Sequence, residues 1–387
     1  MDSTDQYYLG LSIAGTGEGV HAVIAAVRAE GDEIRLRQVR REWFELDGPL
    51  RQRVQELLQA PPAASATMDL ATLDRDLGKA LGEAGKAAIA HARLSRQKLA
   101  GAGLWGLAIG PAAPLGAAGR AAEIRLGSPA EVAAAVGLPI VSGFAQSDQA
   151  AGGAGGPLSP WVDYHLLHDV HKARVVLDLG KVATLTFLPA AGQLADTLAF
   201  DTGPGTAVLD ELARRHHGQP YDRDGAIAGS GRPAAQVVAD LISTPYFSQP
   251  PPATTKRSFR TDWQGRYVDR VEAAGSRAGI AGADLLATAV ELTIETIVRA
   301  AAQLTQRPHE VILCGGGARN ITLGIRLRDR LSPASTVAME RFDVDAASKD
   351  AFNAAALTAA RLLNLPANIP QVTGARQAVR LGSITEP

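Results

Sequence analysis

A chain of 387 residues, 46 % hydrophobic and 20 % charged, exceeds what one compact core holds and predicts two domains of an ordinary globular protein. A net charge of −1 leaves no basic stretch to neutralise a nucleic-acid backbone, which excludes nucleic acid as the main partner, and no apolar run approaches the ~20 residues of a membrane span. The one cysteine, Cys314, excludes a disulfide framework, and the polar, acidic start Met1-Asp2-Ser3-Thr4-Asp5 is no signal peptide, so the expectation is a cytoplasmic protein with no membrane partner.

Residues 7–13 read as a first strand, Ala14-Gly15-Thr16-Gly17-Glu18-Gly19 as a glycine turn, and residues 20–27 as a second strand alternating around His21. A helix is expected over 49–58. A longer one is expected over 70–98, where Leu70, Leu73, Leu77, Leu81, Ala84 and Ala88 keep helical spacing. Residues 104–109 read as a strand and 111–120 as a loop. Ser128 is placed to cap a helix, with Pro129 in its first turn and Glu131 three residues after the cap. A strand over 138–141 leads into residues 144–158, read as a glycine-rich loop behind one carboxylate, Asp148. The domain boundary is set here: an N-terminal lobe over 1–140, onto which the tail 364–387 packs back, and a C-terminal lobe over 141–363. His165, His168 and His171 lie close together, but spacings of three across a polar turn are more often surface histidines than a converging metal site.

The stretch 174–210 organises the second lobe. Residues 175–189 form two strand runs joined at a turn containing Gly180 and Lys181, a repeat of the plan at 7–27. That turn presents backbone N–H groups, the Asp178 carboxylate and the Lys181 ammonium to one ligand, which suits a phosphate chain with its metal ion. A second glycine turn, Phe200-Asp201-Thr202-Gly203-Pro204-Gly205, is expected to open a helix through Leu209 and Leu212, with free N–H groups and a positive dipole end. Singly, each is an ordinary hairpin or helix entry; together they read as half of a nucleotide cleft.

Farther on, residues 237–242 are helical, Gln249-Pro250-Pro251-Pro252 interrupts the chain, and 285–304 is an amphipathic helix with Leu286, Val290, Ile294, Ile297 and Ala301 on one face. The strand 311–314 ends in Gly315-Gly316-Gly317-Ala318-Arg319-Asn320. A triple glycine beyond the carboxyl end of a strand lets a purine or ribose approach the backbone closely, and it is equally an ordinary tight turn. A last helix, 349–363, precedes an irregular tail.

Two strand hairpins with glycine turns, an Asp-Thr-Gly-Pro-Gly and a strand followed by Gly-Gly-Gly resemble the sugar kinase, hexokinase, actin and Hsp70 superfamily. Within it, Leu179-Gly180 with Phe187-Leu188-Pro189, Phe200 to Gly205 with Leu209-Asp210, and Tyr221-Asp222-Arg223-Asp224-Gly225 with Ala228 and Gly231 resemble anhydro-N-acetylmuramic acid kinase. So do Pro251-Pro252 with Thr255 and Arg257, Glu291-Leu292-Thr293, Cys314 to Asn320, Lys349-Asp350-Ala351, and Asn368-Ile369-Pro370-Gln371-Val372-Thr373-Gly374-Ala375. The likeness runs the length of the chain and is densest after residue 138.

The resemblance implies an α/β, two-lobed actin/hexokinase-like (ribonuclease H-like) fold with a central cleft, closing on Mg2+-ATP and a 1,6-anhydro sugar, in a homodimer. It further implies that an aspartate takes a proton from water, that the water opens the anhydro bridge, and that the freed O6 receives the γ-phosphate. The family's Asp-x-Ala-x-Gly-Gly-x-Gly-x-Pro-Leu pattern falls on residues 148–158, which makes Asp148 the base. Gly15, Thr16, Gly17, Asp178, Gly180, Lys181, Asp201, Gly203 and Gly205 are then expected around the phosphates, Gly315, Gly316, Gly317 and Asn320 at the adenosine, and Asp178 and Asp201 at the metal.

The departures concentrate on sugar recognition and the first phosphate turn. The usual Ser-Gly-Thr-Ser-x-Asp-Gly is here Ala14 to Gly19, one residue shorter and without the serine pair. A His-Gly-Gln-Thr motif falls on Trp105-Gly106-Leu107-Ala108, and an Asp-Phe-Arg on Gly143-Phe144-Ala145. Asp178 and Lys181 stand where the family has Asn and Gly, and Thr184 and Thr206 stand in asparagine positions. A buried hydrogen-bond site stripped of its donors rejects the old sugar by several kcal/mol. Two readings follow: a kinase of this family with altered sugar preference, or a catalytically weak or inactive nucleotide-binding paralogue.

Overall fold

The computed structural model describes residues 5–30, 33–59, 67–109, 124–243, 247 and 266–387. The loop expected at 111–120 and the segment 249–259, with Pro251-Pro252, Thr255 and Arg257, lie outside the described residues. The chain divides into two compact units, Met1–Leu166 with Asp343–Pro387, and Leu167–Phe342.

The first unit is built on β1 (Gln6–Ile13), β2 (Gly19–Glu30), β3 (Glu33–Glu45), β4 (Leu99–Leu104) and β7 (Ile140–Ser142), with β13 (Ser383–Thr385) at one edge, in the order β13-β7-β4-β1-β2-β3. β5 (Leu107–Ile109) and β6 (Ile124–Leu126) form a separate two-stranded piece. Alternation decides which face each side chain takes. Leu9, Leu11 and Ile13 join Leu77, Leu81, Ala84 and Ala88 of the helix Thr67–Ala92 in one core. The opposite face is covered by the alanine-rich helix Lys349–Leu362. It comes so close that a Cβ on Gly10 would lie 1.8 Å from the Ala351 carbonyl oxygen, and one on Gly103 2.2 Å from that of Ala354. Those two positions require glycine.

The second unit holds β8 (Arg174–Leu179), β9 (Val182–Leu188), β10 (Leu198–Pro204), β11 (Glu310–Cys314) and β12 (Ser335–Ala338), in the order β10-β9-β8-β11-β12. β8, β9 and β10 pair antiparallel, and β8, β11 and β12 pair parallel. In the first unit β1, β2 and β3 pair antiparallel, and β1, β4 and β7 parallel, in the same order. The repeat read from the two hairpins therefore extends through five strands, which is the α/β, ribonuclease H-like plan of the actin/hexokinase class. Among the described residues no helix is long and apolar enough to cross a membrane.

Several elements differ from expectation. The first unit runs past residue 140 to Leu166, because the helices that follow β7 still belong to it. It resumes at Asp343 and not at 364, because the helix Lys349–Leu362 is needed to cover its sheet. The helix expected over 70–98 stops at Ala92, where Arg93 turns to φ 53°. Residues 104–109 are two strands, broken at Gly106 (φ 65°). Of residues 200–205, read as a turn, 200–204 belong to β10, whose register slips between Asp201 and Gly203, and Gly205 caps the next helix. The tail contains a short helix, Pro370–Thr373, and β13.

Candidate active site

In the first unit the parallel strands β1, β4 and β7 end on one edge of the sheet, the side on which open α/β sheets bind ligands. β1 runs into the turn 14–19, β4 into Trp105, and β7 through Gly143 (φ 71°) into the helix Phe144–Ala150. Asp148 lies in that helix, not in a loop as expected; the glycine loop begins at Ala151. It is fully buried. Its Oδ1 accepts hydrogen bonds from Asn368 Nδ2 and Thr373 Oγ1, both at 2.7 Å, and its Oδ2 accepts one from the Gly155 N–H at 2.8 Å. A Cβ on Gly153 would lie 2.1 Å from Oδ2, so only glycine lets this backbone cross the carboxylate. Ala154 N–H donates to Thr373 O at 2.8 Å and Arg376 N–H to Ala151 O at 3.0 Å, which closes the tail and the glycine loop around the acid. A carboxylate has about four lone-pair sites. The hydrogen bonds named here use three of them and leave one on Oδ2 to accept a proton.

The turn after β1 is closed on itself, with Ala14 N–H on Gly19 O at 2.9 Å and Gly17 N–H on Ala14 O at 2.8 Å. Packing explains two of its glycines. A Cβ on Gly17 (φ 72°) would lie 2.6 Å from Val54 Cγ1, and one on Gly19 2.5 Å from the Phe44 carbonyl oxygen. Gly15 faces open space. The exposed Thr16 hydroxyl donates to the Glu18 carboxylate at 3.1 Å, which puts a negative charge in the expected phosphate turn.

In the second unit, register aligns Asp178 with Thr184 and Thr184 with Asp201 across β8, β9 and β10. The two carboxylates thus flank a hydroxyl on one face, and Thr184 Oγ1 donates to Asp201 Oδ1 at 3.0 Å. Adjacent strands lie about 4.8 Å apart, so the two aspartate backbones are about 10 Å apart. Either carboxylate could serve Mg2+, which in phosphoryl-transfer sites is bound through one or two carboxylates together with water and phosphate. Among the described residues there is no cluster of three or more His, Cys, Asp or Glu that could hold a metal ion, which includes the three histidines. His165 is half-buried: it packs on Trp161 and Tyr164, and burial lowers its pKa to about 4.

The helix Thr206–His217 does not offer the free donors expected of it. Gly205 N–H donates to Lys181 O at 3.1 Å, Thr206 N–H to Gly180 O at 2.8 Å and Ala207 N–H to Lys181 O at 3.4 Å. A Cβ on Gly205 would lie 2.1 Å from the Gly180 carbonyl oxygen. The two glycine turns are therefore one element, which directs the helix's positive end at the hairpin tip. Lys181 is exposed at that tip, and the protein crowding it lowers its pKa by desolvation, an effect Asp210 opposes. Asp210, one turn into the helix, has its pKa raised to about 7, chiefly by burial. The Thr206 hydroxyl and Lys181 oppose that rise, and the charge of Asp222 adds to it.

β11 brings Cys314 opposite Asp178. At Gly315 (φ 78°) a Cβ would lie 2.3 Å from Asp178 Oδ1, and at Gly317 one would lie 2.7 Å from Leu179 O and from Thr206 Cγ2. Gly316 faces open space. The Asp178-to-Lys181 hairpin, the Gly205–Thr206 helix start and Gly315 to Gly317 thus meet at one corner. Asn320 has a structural task there: its Oδ1 accepts from Leu323 N–H at 2.9 Å and caps the helix Ile321–Leu331. The Tyr221-to-Gly225 motif docks on it, since Thr322 Oγ1 donates to Gly225 O at 2.7 Å and a Cβ on Gly225 would lie 2.1 Å from Asn320 Oδ1. Gly203 stands apart, packed toward Phe247 and Thr296.

Sequence reasoning missed Asn368 and Thr373 as partners of Asp148, although both lie in the quoted closing motif. It also gave no role to Asp210.

A family model described as anhydro-N-acetylmuramic acid kinase matches residues 6–387. A curated protein of that name from Gloeobacter violaceus is 35 % identical over 337 residues, covering 87 % of this chain and 86 % of its own. Another, from Xanthomonas axonopodis pv. citri, is 34 % identical over 379 residues and covers 97 % of both chains. Among solved structures, component A of the Acidaminococcus fermentans (R)-2-hydroxyglutaryl-CoA dehydratase aligns over 90 % of this chain and 96 % of its own, at 12 % identity and a TM-score of 0.44.

Proposed function

The chain belongs to the anhydro-N-acetylmuramic acid kinase family and is a carbohydrate kinase, and on that premise we propose that it phosphorylates 1,6-anhydro-N-acetylmuramic acid with opening of the anhydro ring. Membership of a kinase family implies ATP as the donor. In the proposed reaction Asp148 Oδ2 accepts a proton from water, and the water oxygen attacks the anomeric carbon. The bond from that carbon to O6 breaks, and O6 takes the γ-phosphate to give N-acetylmuramic acid 6-phosphate and ADP, a step of peptidoglycan recycling. Phosphoryl transfer of this kind needs positioning, charge neutralisation and one base on the nucleophile.

The observation that carries this reading is the Asp148 carboxylate, fully buried yet left with one acceptor site by its three donors. Asp178 and Asp201 are the residues that would hold magnesium. Magnesium, when bound, neutralises the phosphate charge; Lys181 adds a second positive charge. The homodimer implied by the family likeness is part of the proposal, and light scattering that reads a single chain of 40.3 kDa would remove it.

The test is ADP release from ATP with 1,6-anhydro-N-acetylmuramic acid. Sugar-dependent release that disappears in Asp148→Asn is the expected result, and no sugar-dependent release from the wild type refutes the proposal. A nucleotide-binding protein with little turnover is the second reading, favoured by Glu18, which occupies Thr16 in the first phosphate turn. ATP binding by thermal shift without turnover of any anhydro sugar would establish it.

A further inference from the structure

A base must touch the water it deprotonates, yet the Asp148 side chain is 0 % exposed. The backbone that covers its Oδ2 is the segment 153–155. Gly155 N–H donates to that oxygen at 2.8 Å, and a Cβ on Gly153 would lie 2.1 Å from it, so this chain lies directly over the proton-accepting atom. Ala154, between the two glycines, is exposed. On this side the acid is therefore shielded by one thickness of backbone.

Both ends of the segment are glycines in the left-handed region. Gly152 (φ 95°) terminates the helix Phe144–Ala150, with its N–H on Gln149 O and the Gly153 N–H on Asp148 O, both at 2.9 Å. Gly155 (φ 85°) terminates no helix, and a Cβ there would meet the end of the Gln149 side chain, at 2.7 Å, and no backbone. Its backbone angle, more than its packing, calls for glycine. The tail fastens the segment. Ala154 N–H donates to Thr373 O at 2.8 Å, and Arg376 N–H donates to Ala151 O at 3.0 Å. The Arg376 side chain lies across Gly152, where a Cβ would be 3.0 Å from Nη1, and its Nη2 reaches Ala150 O at 3.5 Å. That last bond is long and Arg376 is exposed, which makes it a weak fastening. Backbone held by a few hydrogen bonds near solvent opens locally far more often than the core beneath it.

We propose that residues 152–155 are a lid over the Asp148 carboxylate, held shut from the tail by Thr373 and Arg376, and that Gly155 releases Oδ2 as the acceptor sugar and its attacking water take its place. This rests on the kinase reading above and adds a gate on the acceptor side. Gly152 and Gly155 are its pivots, and Arg376 is a positioning residue that sets how often it opens.

The experiment reads amide hydrogen exchange residue by residue, and calorimetric binding of 1,6-anhydro-N-acetylmuramic acid, in wild type, Arg376→Ala and Arg376→Lys. Without denaturant, the Ala154 and Gly155 amides are expected to exchange at least about 100-fold faster than the Gly382 amide, which donates to Ser147 Oγ at 2.8 Å in the same unit. Arg376→Ala should raise the Ala154 and Gly155 rates about tenfold, the worth of one hydrogen bond to a charged group, and Arg376→Lys should raise them less. A larger open fraction leaves more protein competent to take the sugar, so Arg376→Ala should bind it up to about tenfold tighter than wild type. An arginine with a merely structural task would weaken binding when removed. Ala154 and Gly155 amides as slow as that of Gly382 overturn the inference, and so does binding that is absent, unchanged or weaker in Arg376→Ala. The expected exchange and binding without any release of ADP uphold the lid and refute the kinase reading alone.

Discussion

Replacing Asp148 by asparagine separates what the acid does for the fold from what it does for the reaction. Oδ1 takes two donors and Oδ2 one. The variant keeps most by leaving its carbonyl oxygen with Asn368 and Thr373, which turns its NH2 toward the Gly155 N–H, donor against donor. Losing a charge-assisted bond and burying an unpaired N–H together cost about 2–5 kcal/mol. In a unit of this size that is a fall of roughly 5–15 °C in melting temperature. Loss of a general base removes about 10²–10⁴ of the rate. Thr373→Val is the companion: it removes one donor and keeps the acid, at about 1–2 kcal/mol and about tenfold in kcat from imperfect aim. Calorimetric melting and single-turnover ADP release measure the two effects. An Asp148→Asn protein that melts early yet turns over within tenfold of wild type would refute the base assignment, and one that melts unchanged would refute the hydrogen-bond account.

Gly205→Ala should cost about 1–3 kcal/mol and raise KM for ATP more than tenfold, because its Cβ would lie 2.1 Å from the Gly180 carbonyl oxygen and force the turns apart; an unaltered KM would show that the turns act separately. Asp210 titrates at about 7 in the fold against an ordinary 3.8, so the folded state binds the extra proton. Its contribution therefore declines from about pH 4 to about pH 7, by up to about 1.4 kcal/mol per pH unit, and is constant above. Denaturant melts at pH 5 and pH 8 should show Asp210→Asn losing that slope, and identical slopes would show that burial does not perturb it. Chelation by EDTA should stop ADP release and added Mg2+ restore it, with Asp178→Asn needing about tenfold more Mg2+; turnover indifferent to EDTA would exclude the metal role.

Much of the scaffold was legible because β1, β2, β8 and β9 are aliphatic and β-branched runs, mostly buried on both faces, and are joined by glycines. β3 escaped notice because an edge strand carries charge along its length, here Arg35, Arg37, Arg40, Arg41 and Glu42. β10 was hidden by residues that usually make turns: pairing with β9 outweighs the local preference of Asp-Thr-Gly-Pro-Gly, and only a register slip at Thr202 records the conflict. In the site, Asp148 could be singled out as a candidate, but its hydrogen-bond partners stand 220 and 225 residues away, a separation no local pattern encodes. The helix start at Thr206 was misjudged for a related reason. Its donors look free until Gly180 and Lys181 fold back to accept them.

The surroundings of Asp148 also bear on the choice between a kinase and an inactive relative. Burying a carboxylate costs several kcal/mol, and an apolar side chain of similar volume is often as stable or more so. Stability alone therefore does not call for an acid at this position, nor for a glycine at 153 to let the backbone cross it, nor for Asn368 and Thr373 to converge on one oxygen. An acid aimed at a reacting water does call for them, since it must be desolvated, oriented, and left one lone pair short of saturation. The first phosphate turn follows the opposite logic: Gly17 and Gly19 are accounted for by Val54 and Phe44, and Thr16 by Glu18. The nucleotide is therefore expected to be held mainly by the corner where Gly315 meets Asp178, and mutations there should move ATP affinity more than mutations at Thr16.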